Sequence, residues 1–465
     1  MPATINTRKT FLFVLLIICL AFKFFLDAYG IMDTHGNKGF IGIDFHKRAA
    51  DYIVHDDIEM SHIAQNTLLG KPFVTDVSFD RPKLRPDKEW VSTFRPKGDV
   101  MAHYFGLKLF YLLDKQYSIH DPIPASYYEA FARTIFVVKT LLFLLSVLFF
   151  YRLALLYFID PFALACTILY VLYPSVLMYV SIYNIYESVI GPLLVIIMSI
   201  HLTNNKEDKD FSPWQILLLT IAMPLICLLK LQVTLIFIIM FGIMLVQVIL
   251  TRNYFFRFFK AYAPASVVLL LLVSMIFAEN YKLFHQVVFS TQSAVNLWHG
   301  HNPYARGSWT PSIWRNHADE IDPILQRNKD ILSSDEITET GFYKKWAMTW
   351  IRQHPGREAI LCMRKAGIYF LPYNFDTFKI NLYTSLTHVA FLGFIFTFFR
   401  KNYKDISFYY LLAPIVAIFL TSELFFVEYR WRYLTDPFML LLGLIFIRDV
   451  FLYFNAKKQM RFSAP

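Results

Sequence analysis

The chain alternates between apolar runs long enough to cross a bilayer and polar connections, and the alternation is uneven. A hydrocarbon core of roughly 30 Å takes about 20 helical residues. About ten runs approach that length: 11–27, 133–157, 161–179, 187–203, 213–229, 232–250, 262–278, 382–399, 407–426 and 434–453. Most connections between them are short, but 28–132, after the first run, and 279–381, after the seventh, are long and hydrophilic. The pattern predicts an all-α, polytopic integral membrane protein. Its expected parts are a tail and first membrane helix (1–27), a first long loop (28–132), membrane helices two to seven (133–278), a second long loop (279–381), and helices eight to ten with a C-terminal tail (382–465).

The long stretches are not uniformly polar. Val100–Leu113 and Tyr127–Phe131 predict amphipathic or interfacial helices in the first. The second carries a helical pattern from Gly341 to Leu371, through Trp346, Trp350, Ile351, Ile360 and Ile368, broken near His354-Pro355. Neither has the apolar content for a large core of its own. One membrane domain capped by two packed loops is expected, with no repeat at a solenoid period.

Composition agrees. Hydrophobic residues make up 56%, charged residues only 17%, and mean hydropathy is +0.43, which excludes an ordinary soluble chain. The 47 Phe and 28 Tyr suit lipid-facing helices and interfacial belts. The four Cys (Cys19, Cys166, Cys227, Cys362) form no CxxC pair, and three fall inside apolar runs, so no disulfide framework is expected. No small-x-small cleavage site follows the first run at Phe24–Tyr29, so that run reads as an uncleaved signal anchor.

The net charge of +10 sets orientation rather than pointing to nucleic acid. Arg8/Lys9, Arg152, Lys206/Lys209, Arg252/Arg257/Lys260, Arg400/Lys401/Lys404 and Lys457/Lys458/Arg461 fall in connections that alternate onto one side. The positive-inside rule makes that side, and both termini, cytoplasmic. The stretches 28–132 and 279–381 then face the periplasm or an equivalent lumen.

Against that topology several residues carry candidate chemistry. Asp44, in Gly42-Ile43-Asp44-Phe45, stands shortly after the first span. It either caps a helix over Phe45–Val54 or acts as a base taking an acceptor hydroxyl proton. Asp56-Asp57, with His46, His55 and His62 nearby, is a weak candidate for a divalent metal; a solvated helix end is the favoured reading, and no cofactor is expected. Lys230, at the short turn between spans five and six, either contacts a lipid phosphate or snorkels to the headgroups. Arg430 and Arg432, in Glu428-Tyr429-Arg430-Trp431-Arg432-Tyr433, run against the topology bias of a short outer loop. Guanidinium suits bidentate phosphate binding; contact with anionic headgroups, with Glu428 as a local partner, is the alternative. Trp298–Trp309 is aromatic and Gly/Pro-punctuated; Trp298, His301 and Asn302 are candidate sugar- or acceptor-binding residues, and a structured turn is the equal alternative. Glu187 is an interfacial cap or an acidic contact to a sugar hydroxyl.

The constellation resembles the GT-C class of polytopic membrane glycosyltransferases, including lipid-A aminoarabinose transferases and protein O-mannosyltransferases. Four features carry the resemblance: Gly42–Phe45 after span one; Tyr173-Pro174 with Tyr183–Ser188; Trp298–Pro303; and Glu428–Tyr433 followed by Asp436-Pro437-Phe438. It implies a GT-C-like fold and a polyprenyl-phosphate sugar donor. It also implies a glycan or lipid acceptor at the outer face of a bacterial inner membrane, single-displacement inversion, and an acidic base at Asp44. Some relatives have two adjacent acids there; this chain has Ile43 and Phe45 around Asp44. Two other readings stay open. An O-antigen polymerase or ligase with a lipid-diphosphate donor would move the weight to the second loop and Arg306. A transporter or flippase is disfavoured by the few charges within the spans and by the two long outer loops.

Overall fold

The structure, a computed structural model, describes residues 11, 14–21, 55–71, 74–75, 90–91, 97–173, 175–176, 185–251, 255–308, 317–332, 335–371, 373–374, 379–380, 382–401 and 405–462. Residues 14–21, within the first apolar run, are helical. Among the described residues six helices are long and apolar enough to cross a membrane: α3 (Ala125–Leu155), α5 (Ile185–Lys206), α7 (Leu231–Thr251), α8 (Phe255–Phe284), α15 (Ser407–Leu424) and α16 (Asp436–Phe462). Three shorter apolar helices complete the pattern: α4 (Asp160–Val171), α6 (Pro213–Leu229) and α14 (Leu382–Lys401). The chain is an all-α, multi-pass membrane protein. Its only strands among the described residues are two-residue ladders, β1 (Val74–Thr75) with β2 (Trp90–Val91) and β3 (Tyr373–Asn374) with β4 (Lys379–Ile380), both antiparallel.

Local chemistry fixes several helix ends. At α6, Ser212 accepts from the Gln215 N–H and the Gln215 side chain accepts from the Ser212 N–H, with Pro213 at the first helical position. Small residues set the close approaches. A Cβ on Gly443 of α16 would lie 3.3 Å from the Thr387 carbonyl of α14, and one on Gly191 of α5 would lie 2.8 Å from the Tyr433 ring. Backbone approach at small residues is how helices associate where lipid offers no hydrophobic contrast.

The bundle has two chemically distinct ends. At one, the short basic connections meet. The Arg257 guanidinium donates to Asp208 at 2.5 Å, and the Lys206 ammonium pairs with Asp405 at 3.1 Å and lies 3.9 Å over the Tyr157 ring. The described residues 157–160, 204–212, 255–257 and 405–407 are thus gathered on one side, as alternation of the spans requires.

The opposite end carries the helices of the two long stretches. From the first, α1 (His55–Leu68) and α2 (Lys97–Leu113) pack with the start of α3 around Met60, Ile63, Val100, Leu107 and Tyr127. From the second, α9 (Gln292–Gly300), α10 (Ala318–Arg327), α11 (Lys329–Leu332), α12 (Glu336–Gln353) and α13 (Pro355–Phe370) follow in order. Asp335 caps α12 by accepting from the Thr338 N–H at 2.8 Å. His354 and Pro355 make the break expected there, with Pro355 at the first position of α13. A small core of Val295, Trp298, Ile321, Leu325, Tyr343 and Ala347 joins α9, α10 and α12.

Candidate functional site

Between α15 and α16 the chain makes one 3-10 turn, η1 (Tyr429–Leu434), at the end of the bundle that carries the long stretches. Elements distant in sequence converge on it. Gly191 of α5 lies against Tyr433. The Lys230 ammonium, from the turn joining α6 to α7, sits 5.6 Å over the Trp431 ring. Such a cation over an indole is attracted by the ring quadrupole. Lys230 is nearly buried although it lies at a helix junction.

Arg432 points inward and is 2% exposed. Its guanidinium donates to the Leu371 carbonyl at 3.4 Å and lies against the His388 imidazole Nε2. Its Nε is 4.0 Å from an Asp436 carboxylate oxygen, one turn on. His388 Nδ1 is 2.7 Å from the Phe370 carbonyl, which sets the tautomer: Nδ1–H donates to the carbonyl and Nε2 accepts from Arg432. The arrangement pins η1 to α14 and to the end of α13, with Asp436 as counter-charge.

A row of rings links η1 to the second long stretch. Trp431 stacks on Phe426 (5.4 Å between centroids), Phe426 meets His299 edge-on (6.4 Å), and His299 adjoins Trp298 (5.3 Å). Trp298 is fully buried and packs on Trp346 at 4.9 Å. Burial holds the His299 imidazole down to about 4, so the ring is neutral at physiological pH. Asn302 shapes the turn after α9: its amide donates to the Trp298 and His299 carbonyls (2.7 and 3.2 Å), and its oxygen accepts from the Tyr304 N–H (2.8 Å). Gly300 touches the Phe425 backbone, where any Cβ would overlap the carbonyl. Gly307 holds a positive φ of 91° and its carbonyl accepts from the Val427 N–H at 2.8 Å, beside a bridge between Ser308 and Val427.

His301 is the centre of a buried ionisable cluster. Its Nδ1 lies 2.5 Å from the Glu358 carboxylate and its Nε2 lies 2.8 Å from the Leu424 carbonyl. The Lys365 ammonium donates to the Glu423 carbonyl at 2.9 Å and stands 3.2 Å from His301 Nε2. Burial pushes Lys365 down to about 8, against the pull of Glu358, Cys362 and Glu423. Burial also raises the Glu358 carboxyl, but its bonds and charge interactions with His301 and Lys365 outweigh this and leave it below the usual carboxylate range. Burial and the neighbouring Glu358 push the Cys362 thiol up.

The sequence candidates therefore fall into three groups. Lys230, Arg432, Trp298, His301 and Asn302 are brought to one end of the bundle and linked through η1, with Trp298, His301 and Asn302 engaged in holding the turn. Arg430 lies in η1, Glu187 in the first turn of α5, and Asp56 and Asp57 in the first turn of α1; their side chains are outside the described residues. Asp44 is also outside the described residues. Among the described residues, no three His, Cys, Asp or Glu are grouped to hold a metal. Sequence reasoning missed His388, Glu358, Lys365 and Glu423. One signal was available: Glu358, Cys362 and Lys365, spaced four and three apart, share the α13 face that also carries Leu361 and Ile368. Comparison with protein-family models, curated proteins and solved structures gives no match to any of them.

Proposed function

We propose that the chain is a ten-span, GT-C-like membrane glycosyltransferase. It moves a sugar from a polyprenyl-phosphate donor to a cell-envelope glycan or lipid acceptor on the extracytoplasmic face of a bacterial inner membrane. The observation that carries the reading is the convergence of Lys230, η1 with its two arginines, and the Trp298–Asn302 turn at the end of the bundle opposite the basic connections. Cations on the outer side are not needed for topology, and a donor phosphate gains charge as the sugar leaves. In this reading Lys230 and Arg430 meet the phosphate. Arg432, turned inward onto His388 and Asp436, holds η1 and adds positive potential beneath it. Asp44 serves as general base in a single inverting displacement, and Glu187 with the Trp298–Asn302 segment borders the sugar and acceptor.

The test is transfer of radiolabelled sugar from prenyl-phosphate donors in washed membranes. Wild-type chain should transfer label; Asp44→Asn should accumulate normally and lose on the order of 10²–10⁴ in rate, as expected for removal of a general base. Absence of transfer from every prenyl-phosphate sugar tried, alongside measurable solute movement in vesicles, would replace the reading by a transporter. Transfer only from prenyl-diphosphate donors would replace it by a polymerase or ligase.

A further inference from the structure

Helix α13 is two-faced, and its setting depends on the multi-pass architecture rather than on sugar transfer. One face of α13 is committed to the protein: Glu358, Leu361, Lys365, Ile368 and Tyr369 are buried. The opposite face is apolar and uncovered, with Ile360 63%, Met363 67% and, just past the helix end, Leu371 46% exposed. These positions fall within one sector at 100° per residue, and Arg357 and Arg364, both exposed, run along one edge of it. An apolar stripe edged by arginines is the pattern of a helix lying at a lipid–water interface.

Depth is fixed by two independent contacts. The Tyr369 hydroxyl donates to the Ile415 carbonyl at 3.1 Å, whereas Lys365, one turn earlier, reaches the Glu423 carbonyl. The apolar helix α15 ends at Leu424, so Ile415 lies about 13 Å inside that end at 1.5 Å per residue. On the other flank, the Phe370 carbonyl meets His388, about 9 Å into α14 from Leu382. The C-terminal end of α13 is therefore level with the interior of two apolar helices, and Lys365, midway along it, is level with the end of α15. Nearer its start the Arg357 guanidinium lies 5.6 Å over the Trp350 ring, a pairing suited to the headgroup layer. On the two helices that α13 bonds to, Leu420 and Leu424 of α15 and Val389 of α14 are exposed as well.

We propose that α13 is a tilted half-membrane helix that enters the leaflet at this end of the bundle C-terminus first. Ile360, Met363 and Leu371 contact acyl chains, and Arg357 and Arg364 contact the phosphates of anionic phospholipids. The second long stretch is then seated in the bilayer as well as on the bundle. Its backbone stays satisfied because the helix keeps its own hydrogen bonds and its end is closed by protein groups from α14 and η1.

The experiment uses the full chain in nanodiscs of phosphatidylcholine and phosphatidylglycerol. Nitroxide labels go on Met363→Cys and, as a water-exposed control, on Asp319→Cys, with Cys362→Ser in both. The label at 363 should lose collisions with a water-soluble nickel chelate and gain collisions with oxygen relative to 319. Wild-type chain, irradiated with a phospholipid carrying a diazirine in its acyl chain, should give adducts on the tryptic peptide 358–364; this arm needs no substitution. Arg357→Gln combined with Arg364→Gln should abolish any enrichment of phosphatidylglycerol over phosphatidylcholine in lipid retained by the purified chain. Equal nickel access at 363 and 319 overturns the proposal. So does a 363 label shielded from both reagents, which means protein covers the stripe, or a peptide free of adducts. Unchanged phosphatidylglycerol enrichment in the double variant overturns the phosphate contact.

Discussion

Replacing Gly300 by Ala tests whether the second long stretch is locked to the bundle through backbone. Gly300 ends α9 against Phe425; a methyl there would overlap the Phe425 carbonyl and lie 3.0 Å from its Cα. These are main-chain atoms, so relief requires moving the end of α15 and the segment after it rather than rotating a side chain. That segment carries the bonds to the stretch: Leu424 to His301 (2.8 Å), Glu423 to Lys365 (2.9 Å) and Val427 to Gly307 (2.8 Å). A neutral bond contributes about 0.5–1.5 kcal/mol and one to a charged donor about 1.5–3 kcal/mol. If the segment stays in place, overpacking strain costs about 1–3 kcal/mol instead. Either route gives a loss on the order of 3 kcal/mol. Gly341→Ala is the control: Gly341 is inside α12 with nothing within 4 Å of the new methyl. That change should be neutral or stabilise by about 0.5–1 kcal/mol. The assay is thermal unfolding of the full chain in nanodiscs, followed by tryptophan fluorescence, to which the buried Trp298 contributes. Gly300→Ala should unfold well below wild type and Gly341→Ala at or above it. A Gly300→Ala protein that unfolds at the wild-type temperature would refute the docked arrangement.

Three further outcomes are expected. Cysteine placed at the exposed position Gln116 should react with an impermeant maleimide in intact cells, and cysteine at Asp210 only after permeabilisation; the reverse result inverts the topology and sinks the catalytic reading. Lys365 holds a folded value of about 8 against an ordinary 10.5. Between those values the unfolded chain binds the extra proton, so stability should rise with pH from about 8 to 10.5, and Lys365→Met should remove that rise; an identical pH profile for the variant contradicts the burial argument. Lys230→Gln should weaken donor use by roughly tenfold, equivalent to about 1.4 kcal/mol, with acceptor affinity unchanged; normal transfer at limiting donor makes Lys230 a headgroup anchor.

The membrane architecture was legible because its signal is long-range composition: uninterrupted apolar runs leave helices as the economical way to satisfy the backbone in lipid. The breaks were legible where local chemistry dictates them, as at His354-Pro355. Helix limits were less so. α3 begins at Ala125 and α8 runs to Phe284, past the expected 133 and 278, because polar residues at a span's end extend the helix as readily as apolar ones. The site was half legible. Lys230 and Arg432 stood out as charges in the wrong loop, but their roles depend on direction: Arg432 turns inward to His388, whose own contribution requires α14 to lie beside η1. Likewise His301, Glu358 and Lys365 are separated by more than fifty residues of chain or by two helix turns, and nothing local announces that they meet under Leu424.

The stitch between Gly307-Ser308 and Val427, with the neighbouring His301–Leu424 contact, also constrains biosynthesis. His301 precedes its carbonyl partner by 123 residues. At a synthesis rate of about 5–20 residues per second, the Trp298–Ser308 turn waits roughly 6–25 s for that partner to be made. Until then His301 and Lys365 lack the α15 carbonyls they bond to, and His299 lacks the Phe426 ring. The last helical hairpin, α15 with α16, is in this sense the keystone of the whole chain. A nascent protein stalled or truncated before it should display an unfinished surface at that end of the bundle, which membrane proteases and chaperones can read.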